Sequence, residues 1–517
     1  MQEQAPVHQG DLEQARRYMQ GGLGQSDDFR TREFRLGGPT GPRLLLFYFD
    51  GMIDEQAIDE RVIKPLMQQG QVAAGSVQDA ALIIEESVSS RANVKRTRSY
   101  DSAIEAMLDA DALVFIENCA DFLIIDVTGF PSRSVDKPET EHSVRGSREG
   151  FNELIVTNWC LIRRRVKHDN LRIKLLRVGR RSRTRVAVCF IEGVANPAVV
   201  QEVRRRVEAI PVDGLQGTQM LEEFLTDHPF SPFPLIRSTE RPDEAARQLL
   251  GGKVVILVDN VPFCLAVPST LMDFYQTMDD YNFSPWGSSM VRVMRFLGWL
   301  LAIFLPSVYI AVIAVNPEMM PGELAITIAG AREGLPFPPI VEVVIIEILI
   351  ELIREAALRL PQPLGTTIGV VGGIVVGEAI VQAGLISPLM IIFAATNMLA
   401  SFTTPTLDIG FTWRILKWVL IALANAFGLV GVVVGWVAIL GHMAALSSFG
   451  VPYLSPISPL RLPDLGDTIV RLPFWKLKTR PMTLRTLNID RQGIYEHENQ
   501  FPNLPGAQER YREGREE

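Results

Sequence analysis

Glu342, Glu347, Glu351 and Glu355 interrupt an otherwise apolar run, IVEVVIIEILIELIREAALRL. The last three recur at i, i+4 and i+8, so they share a helical face that drifts only ~40° per step. An ionised carboxylate at a bilayer centre costs at least ~2.5 kcal/mol even on the most lenient insertion scale, so that face cannot point at lipid. Three arrangements satisfy the constraint: a water-filled pathway lined by carboxylates, an amphipathic helix lying on the membrane, or a helix paired with bases such as Arg354 and Arg359. Farther along, Glu378 stands alone among apolar residues with Gln382 one turn on. It reads either as a proton or cation site or as a structural carboxyl bonded to a neighbouring helix. Before it, Gly365, Gly369, Gly373 and Gly377 form a stripe at four-residue intervals. Such a stripe lets helix backbones approach closely, with pore lining as the other reading.

Other chemistry lacks its parts. The six histidines are scattered, with no HExxH, no Gly-x-Ser-x-Gly and no Walker-type loop, so no catalytic centre, metal site or cofactor is expected. Cys119, Cys160, Cys189 and Cys264 have no metal-ligand spacing and read as small buried apolar residues of a reduced compartment. A net charge of -8 with both signs interspersed gives no footprint for nucleic acid. The basic run Arg177, Arg180, Arg181, Arg183, Arg185 reads as a solvated face or a contact with lipid heads or another domain.

The elements that must position the acids fall into two regions of opposite character. Charges recur every few residues up to about Ser289, whereas Phe296 to Val315 carries none in 20 positions, long enough to span ~30 Å of hydrocarbon. Arg292 and Arg295 precede this span, which suits a cytoplasmic start. A loop at 316–339, the acidic helix, two spans between Leu360 and Leu407 broken near Ser387-Pro388, and one at Trp418–Gly441 follow. Met443 to Pro459 is a weak further candidate, and the crossing count stays open at four to six. The expected fold is an α/β soluble N-terminal domain of two similar subdomains, then an all-α polytopic membrane domain. Its divisions are a disordered or loosely helical lead-in (1–42), subdomain 1 with its linker (43–147), subdomain 2 (148–290), the membrane domain (291–460) and a charged tail (461–517).

The two subdomains follow from a repeat. Arg43, Gly51, Asp54, Glu60, Asp101, Leu108 and Asn118 each find a counterpart 142 positions on, at Arg185, Gly193, Asn196, Glu202, Asp243, Leu250 and Asn260. A constant offset over nearly 80 residues favours duplication over two ordinary α/β units. Each copy reads as strand, turn and helix, then a β-hairpin, ALVFIE with FLIIDV in the first.

Several blocks resemble one family. EHSVRGSREGFNE (Glu141 to Glu153), FIEGVANP (Phe190 to Pro197), REGLPFP (Arg332 to Pro338), ELIREAALRLPQPLG (Glu351 to Gly365), VQAGLISP (Val381 to Pro388) and FGVPYLSP (Phe449 to Pro456) are similar to the A subunits of bacterial spore germinant receptors. Ser147 stands where that pattern would have proline. A relative of the SpoVAF type shares the architecture, while FWKLKTRP (Phe474 to Pro481) looks more like the receptor branch. The resemblance implies a multi-pass protein of the spore inner membrane with its N-terminal domain and tail cytoplasmic. It implies as partners a transporter-like B subunit that recognises the nutrient, a lipoprotein C subunit, membrane lipid and further copies, forming a pentameric channel for monovalent cations. It supplies no ligand residues, so Glu342, Glu347, Glu351, Glu378 and Gln382 are candidates on physical grounds alone.

Overall fold

The computed structural model describes residues 10–36, 41–64, 93–127, 129, 138, 141, 143–359 and 379–493. The chain opens with α1 (Leu12–Gly22), β1 (Phe29–Arg35), β2 (Arg43–Phe49), α2 (Glu55–Ile58), β3 (Val94–Thr97), α3 (Tyr100–Leu108) and the hairpin β4 (Ala112–Ile116) and β5 (Phe122–Ile125). A second unit follows: α4 (Ile155–Arg165), β6 (Leu171–Val178), β7 (Thr184–Ile191), α5 (Pro197–Glu208), α6 (Thr218–Leu225), β8 (Arg237–Thr239), α7 (Pro242–Leu250), β9 (Val254–Val258) and β10 (Cys264–Val267).

Each unit builds a five-stranded antiparallel sheet with the same connectivity, β1-β2-β4-β5-β3 and β6-β7-β9-β10-β8. The repeat extends to backbone and charge. Gly51 and Gly193 have φ of 81° and 79°, and Asn118 and Asn260 have 64° and 65°, the left-handed conformation that Gly and Asn adopt at least cost. Arg43 pairs with Glu117 at 2.9 Å as Arg185 does with Asp259 at 3.0 Å. Every partner lies 142 positions from its equivalent. In α5, Asn196 caps the Ala198 N–H at 3.0 Å and Pro197 takes the first position, as its sequence leads one to expect.

Two boundaries change. Residues 12–35 are an ordered part of subdomain 1: α1 buries Leu12, Ala15 and Met19, and β1 pairs with all seven residues of β2. Their polar composition hid this because β1, FRTREFR, is an edge strand with charges on its open side. Glu141, assigned to the linker after subdomain 1, packs instead on subdomain 2, where it meets Arg237 at 3.0 Å. The four cysteines are buried and free.

The helical region comprises α8 (Pro285–Ile310, continued by a wider turn to Val315), α9 (Gly322–Ala331), α10 (Pro339–Arg359), α11 (Pro388–Ser401) and α12 (Leu407–Ala445). The segments Pro285–Val315 and Leu407–Ala445 are long and apolar enough to cross a membrane. Yet α12 is a hairpin of two arms, not one rod. Helical geometry breaks at Gly428, with φ 61° and ψ -143°. Trp413 and Trp436 would lie roughly 35 Å apart on a straight helix, but their rings are 6.4 Å apart. The single span expected at Trp418–Gly441 is therefore replaced by two antiparallel arms, a reversal that an uninterrupted apolar run conceals.

Residues 446–460 do not extend the bundle. The chain turns through β11 (Ser447–Ser448) and β12 (Val451–Pro452), and Tyr453 is buried beside Phe274 of the soluble region, accepting the Leu271 N–H at 2.8 Å. Beyond it, Arg471 donates to the carbonyls of Asp280 and Phe283 at 3.1 and 2.9 Å, fastening the start of the tail to the base of α8.

Candidate functional site

The helices have a near end, against the soluble subdomains, and a far end. At the near end the Thr406 hydroxyl donates to the Phe274 carbonyl at 3.1 Å, and Ser231 meets His442 at 3.0 Å. At the far end the Asn316 side chain, just past α8, accepts the Leu429 N–H at the α12 hinge at 3.1 Å. Glu342, Glu347 and Glu351 of α10 are distributed along this axis, each with a partner from another segment.

Glu342 lies at the far end with no solvent exposure. Arg332, in the loop after α9, donates to it at 2.6 Å and the Ser387 N–H at 3.1 Å. Tyr309 closes the group, 3.2 Å from the Ser387 hydroxyl and 3.3 Å from Arg332. Glu347, 3% exposed, takes a short bond from Lys417 on the first arm of α12 and one from Asn397 of α11 at 2.8 Å. Glu351 is half exposed and is bonded by Arg414, with Arg354 at 3.5 Å. Of the three arrangements open to the acidic helix, pairing with bases is the one built within a single chain, because desolvated carboxylates need charge and hydrogen bonds together.

Gln382 is exposed at the end of the helical residues 379–382 that precede α11, 40 positions from Glu342 in sequence. Glu378, Gly365, Gly369, Gly373 and Gly377 lie outside the described residues, as does the side chain of Arg359. Arg332, Arg414 and Lys417 are the charge partners that sequence reasoning missed. Arg332 sits within the block REGLPFP, and Lys417 stands immediately before the apolar run from Trp418, so each carried a signal: an isolated base beside hydrocarbon needs an acid.

A second charged cluster joins the subdomains to α8. Asp280 receives Arg292 at 3.0 Å and Arg295 at 2.9 Å, and Arg292 also reaches Asp467 at 2.9 Å. Burial opposes ionisation of Asp280, but Arg295 and Arg292 hold its carboxyl below the usual range. Tyr281 donates to Asp467 at 2.9 Å. The two basic residues read as topology signals thus also form a joint between the soluble region, α8 and the tail.

A third group lies under α6, where Glu222 and Asp408 line one cavity of about 260 Å³. Burial and the Asp408 and Glu223 carboxylates push Glu222 up to about 8. Among the described residues no cluster of His, Cys, Asp and Glu could hold a metal ion.

The family model described as "Bacillus/Clostridium GerA spore germination protein" matches residues 17–483. Spore germination protein B1 of Bacillus subtilis is 37% identical over 467 residues, 89% of this chain and 94% of that protein. Spore germination protein GerLA of Bacillus cereus is 35% identical over 482 residues, covering 92% and 96%. Stage V sporulation protein AF of Bacillus subtilis is 31% identical over 475 residues, covering 91% and 94%. Among solved structures, the N-terminal domain of the A subunit of the Bacillus megaterium spore germinant receptor GerK3 matches with a TM-score of 0.42 at 27% identity, over 51% of this chain and 97% of that one.

Proposed function

Because the chain belongs to the Bacillus/Clostridium GerA spore germination protein family, we propose that it is the A subunit of a nutrient germinant receptor that triggers spore germination. It resides in the spore inner membrane as a multi-pass protein with its subdomains and tail on the cytoplasmic side. Location of residues 461–493 and both subdomains at one end of the bundle supports that orientation. A transporter-like B subunit receives the nutrient, a lipoprotein C subunit completes the receptor, and copies of this chain, as a pentamer, surround a pathway for monovalent cations. The single observation that carries the reading is the family match across both subdomains and the helices, at residues 17–483.

Coupling is conformational. Glu347–Lys417 and Glu351–Arg414 tie α10 to the first arm of α12, whose start is tied to the soluble region through Thr406, so a shift of one reaches the others. Glu342, Glu347, Glu351, Glu378 and Gln382 are the proposed polar groups of the ion pathway, and Gly365, Gly369, Gly373 and Gly377 its packing stripe. One observation favours a second reading, a non-conducting scaffold or a protein acting like stage V sporulation protein AF: Glu342 and Glu347 are buried and ion-paired within one chain.

The test is potassium efflux from liposomes holding the chain with its B and C subunits, before and after nutrient addition. Efflux that Glu347→Gln and Glu351→Gln alter supports the channel. No efflux from the complete complex supports the scaffold.

A further inference from the structure

At the near end of the bundle a cavity of about 290 Å³ opens between α8, the end of α10, the loop after α11 and the first arm of α12. Its wall carries three cationic side chains, Arg354, Arg414 and Lys417, together with the hydroxyls of Ser401 and Thr404, and, among the described residues, no carboxylate. Glu347 and Glu351 bond Lys417 and Arg414 without lining the space. Arg354 donates to the Ser401 hydroxyl at 2.9 Å, but its Nε is buried with no hydrogen-bond partner. Of the buried guanidinium nitrogens without an acceptor among the described residues, it is the one whose side chain lines this cavity. Three cations around one cavity suit an anion with several acceptor oxygens.

The depth of the cavity specifies the source. Arg295, one turn before the cavity-lining Trp299, still bonds the Tyr275 carbonyl of the soluble region at 3.0 Å, so the cavity begins where α8 leaves that region. Trp299 and Trp413 line it, the residue type that gathers at membrane interfaces. Phe402 and Phe411, which line it, are exposed and apolar, a surface for acyl chains. Basic pockets between helices at headgroup depth are suited to phospholipid phosphates, and arginine forks match phosphate oxygens two at a time.

We propose that this cavity binds the phosphate headgroup of an anionic phospholipid from the leaflet next to the soluble subdomains, with the lipid bracing α10 against α12. The site requires residence in a membrane but not conduction, so it stands apart from the channel reading. A bound lipid gives Arg354 its missing acceptor and fixes the Arg414–Glu351 contact.

The purified full-length chain, in vesicles of phosphatidylglycerol or of phosphatidylcholine, each brominated on the acyl chains, reports occupancy through quenching of Trp299 and Trp413 fluorescence. Stronger quenching by the anionic lipid is expected. Arg354→Gln weakens that preference about tenfold, the loss of one charge-assisted contact. Gly410→Leu weakens it likewise while keeping every charge, because Gly410 lines the cavity and a Cβ there meets only Thr404, at 3.9 Å. Equal quenching by both lipids, or a preference that neither variant changes, overturns the proposal. Displacement of the anionic lipid's effect by millimolar inorganic phosphate assigns the site to free phosphate and overturns the lipid source. Lipid-independent disulfide cross-linking of two copies carrying Phe411→Cys means that a second chain covers the mouth, and overturns it also.

Discussion

Asn316 and Gly428, 112 positions apart, form one joint: the Asn316 carboxamide oxygen accepts the Leu429 N–H at 3.1 Å, directly after the glycine whose φ of 61° and ψ of -143° reverse the chain. The residue just past α8 thereby caps the start of the second arm of α12, satisfying a donor that a helix start otherwise leaves open. A Cβ at Gly428 would stand 2.0 Å from that oxygen.

Gly428→Ala is therefore expected to destabilise the protein by roughly 1–3 kcal/mol through backbone strain alone, and further through loss of the cap. Thermal unfolding of the detergent-solubilised chain reads the loss. A variant as stable as the parent would mean that the reversal does not depend on glycine.

Either single change to the Glu347–Lys417 pair should be damaging. Lys417→Met leaves a buried carboxylate and Glu347→Gln a buried ammonium uncompensated, each at a cost on the order of 3–5 kcal/mol. The double variant should recover part of the loss. Additive losses in a double-mutant cycle would show that the two groups do not interact.

Arg163 is a comparable lock between the soluble subdomains. Its side chain, 1% exposed, bonds Asp28 at 2.6 Å and lies 4.0 Å over the Phe49 ring. Asp28→Ala should lower stability by about 3–5 kcal/mol, as expected for breaking a buried pair. Intrinsic fluorescence during chemical unfolding can follow it, because Trp159, on the same helix as Arg163, donates to the Asp50 carbonyl at 3.1 Å. An unchanged midpoint and slope would dismiss the lock.

Glu222 makes stability depend on pH. Burial and the neighbouring carboxylates push its carboxyl up to about 8 in the folded chain against 4.5 for a solvated glutamate, so between those values the folded state holds a proton that the unfolded state has released. Its contribution is complete below about 4.5 and is lost as pH rises through about 8. Glu222→Gln should flatten the fall in melting temperature across that window. A slope identical to that of the parent would remove Glu222 as its source.

The sequence alone determined what was local or repeated. Turn positions demand particular backbone angles, so Gly51 with Gly193 and Asn118 with Asn260 announced two equivalent units through their constant spacing, and the two sheets have the same strand order. It also determined that the acids of α10 need company, since the hydration of a carboxylate does not depend on the fold. Which company was decided only in three dimensions: Lys417 lies 70 positions from Glu347, and no periodicity links them. The same holds for the reversal at Gly428 inside a continuous apolar run, and for residues 12–35, whose polar sequence becomes an edge strand only when β2 offers its hydrogen bonds. Hydrophobic pattern records which surface is buried, while the partner across that surface is chosen by long-range packing.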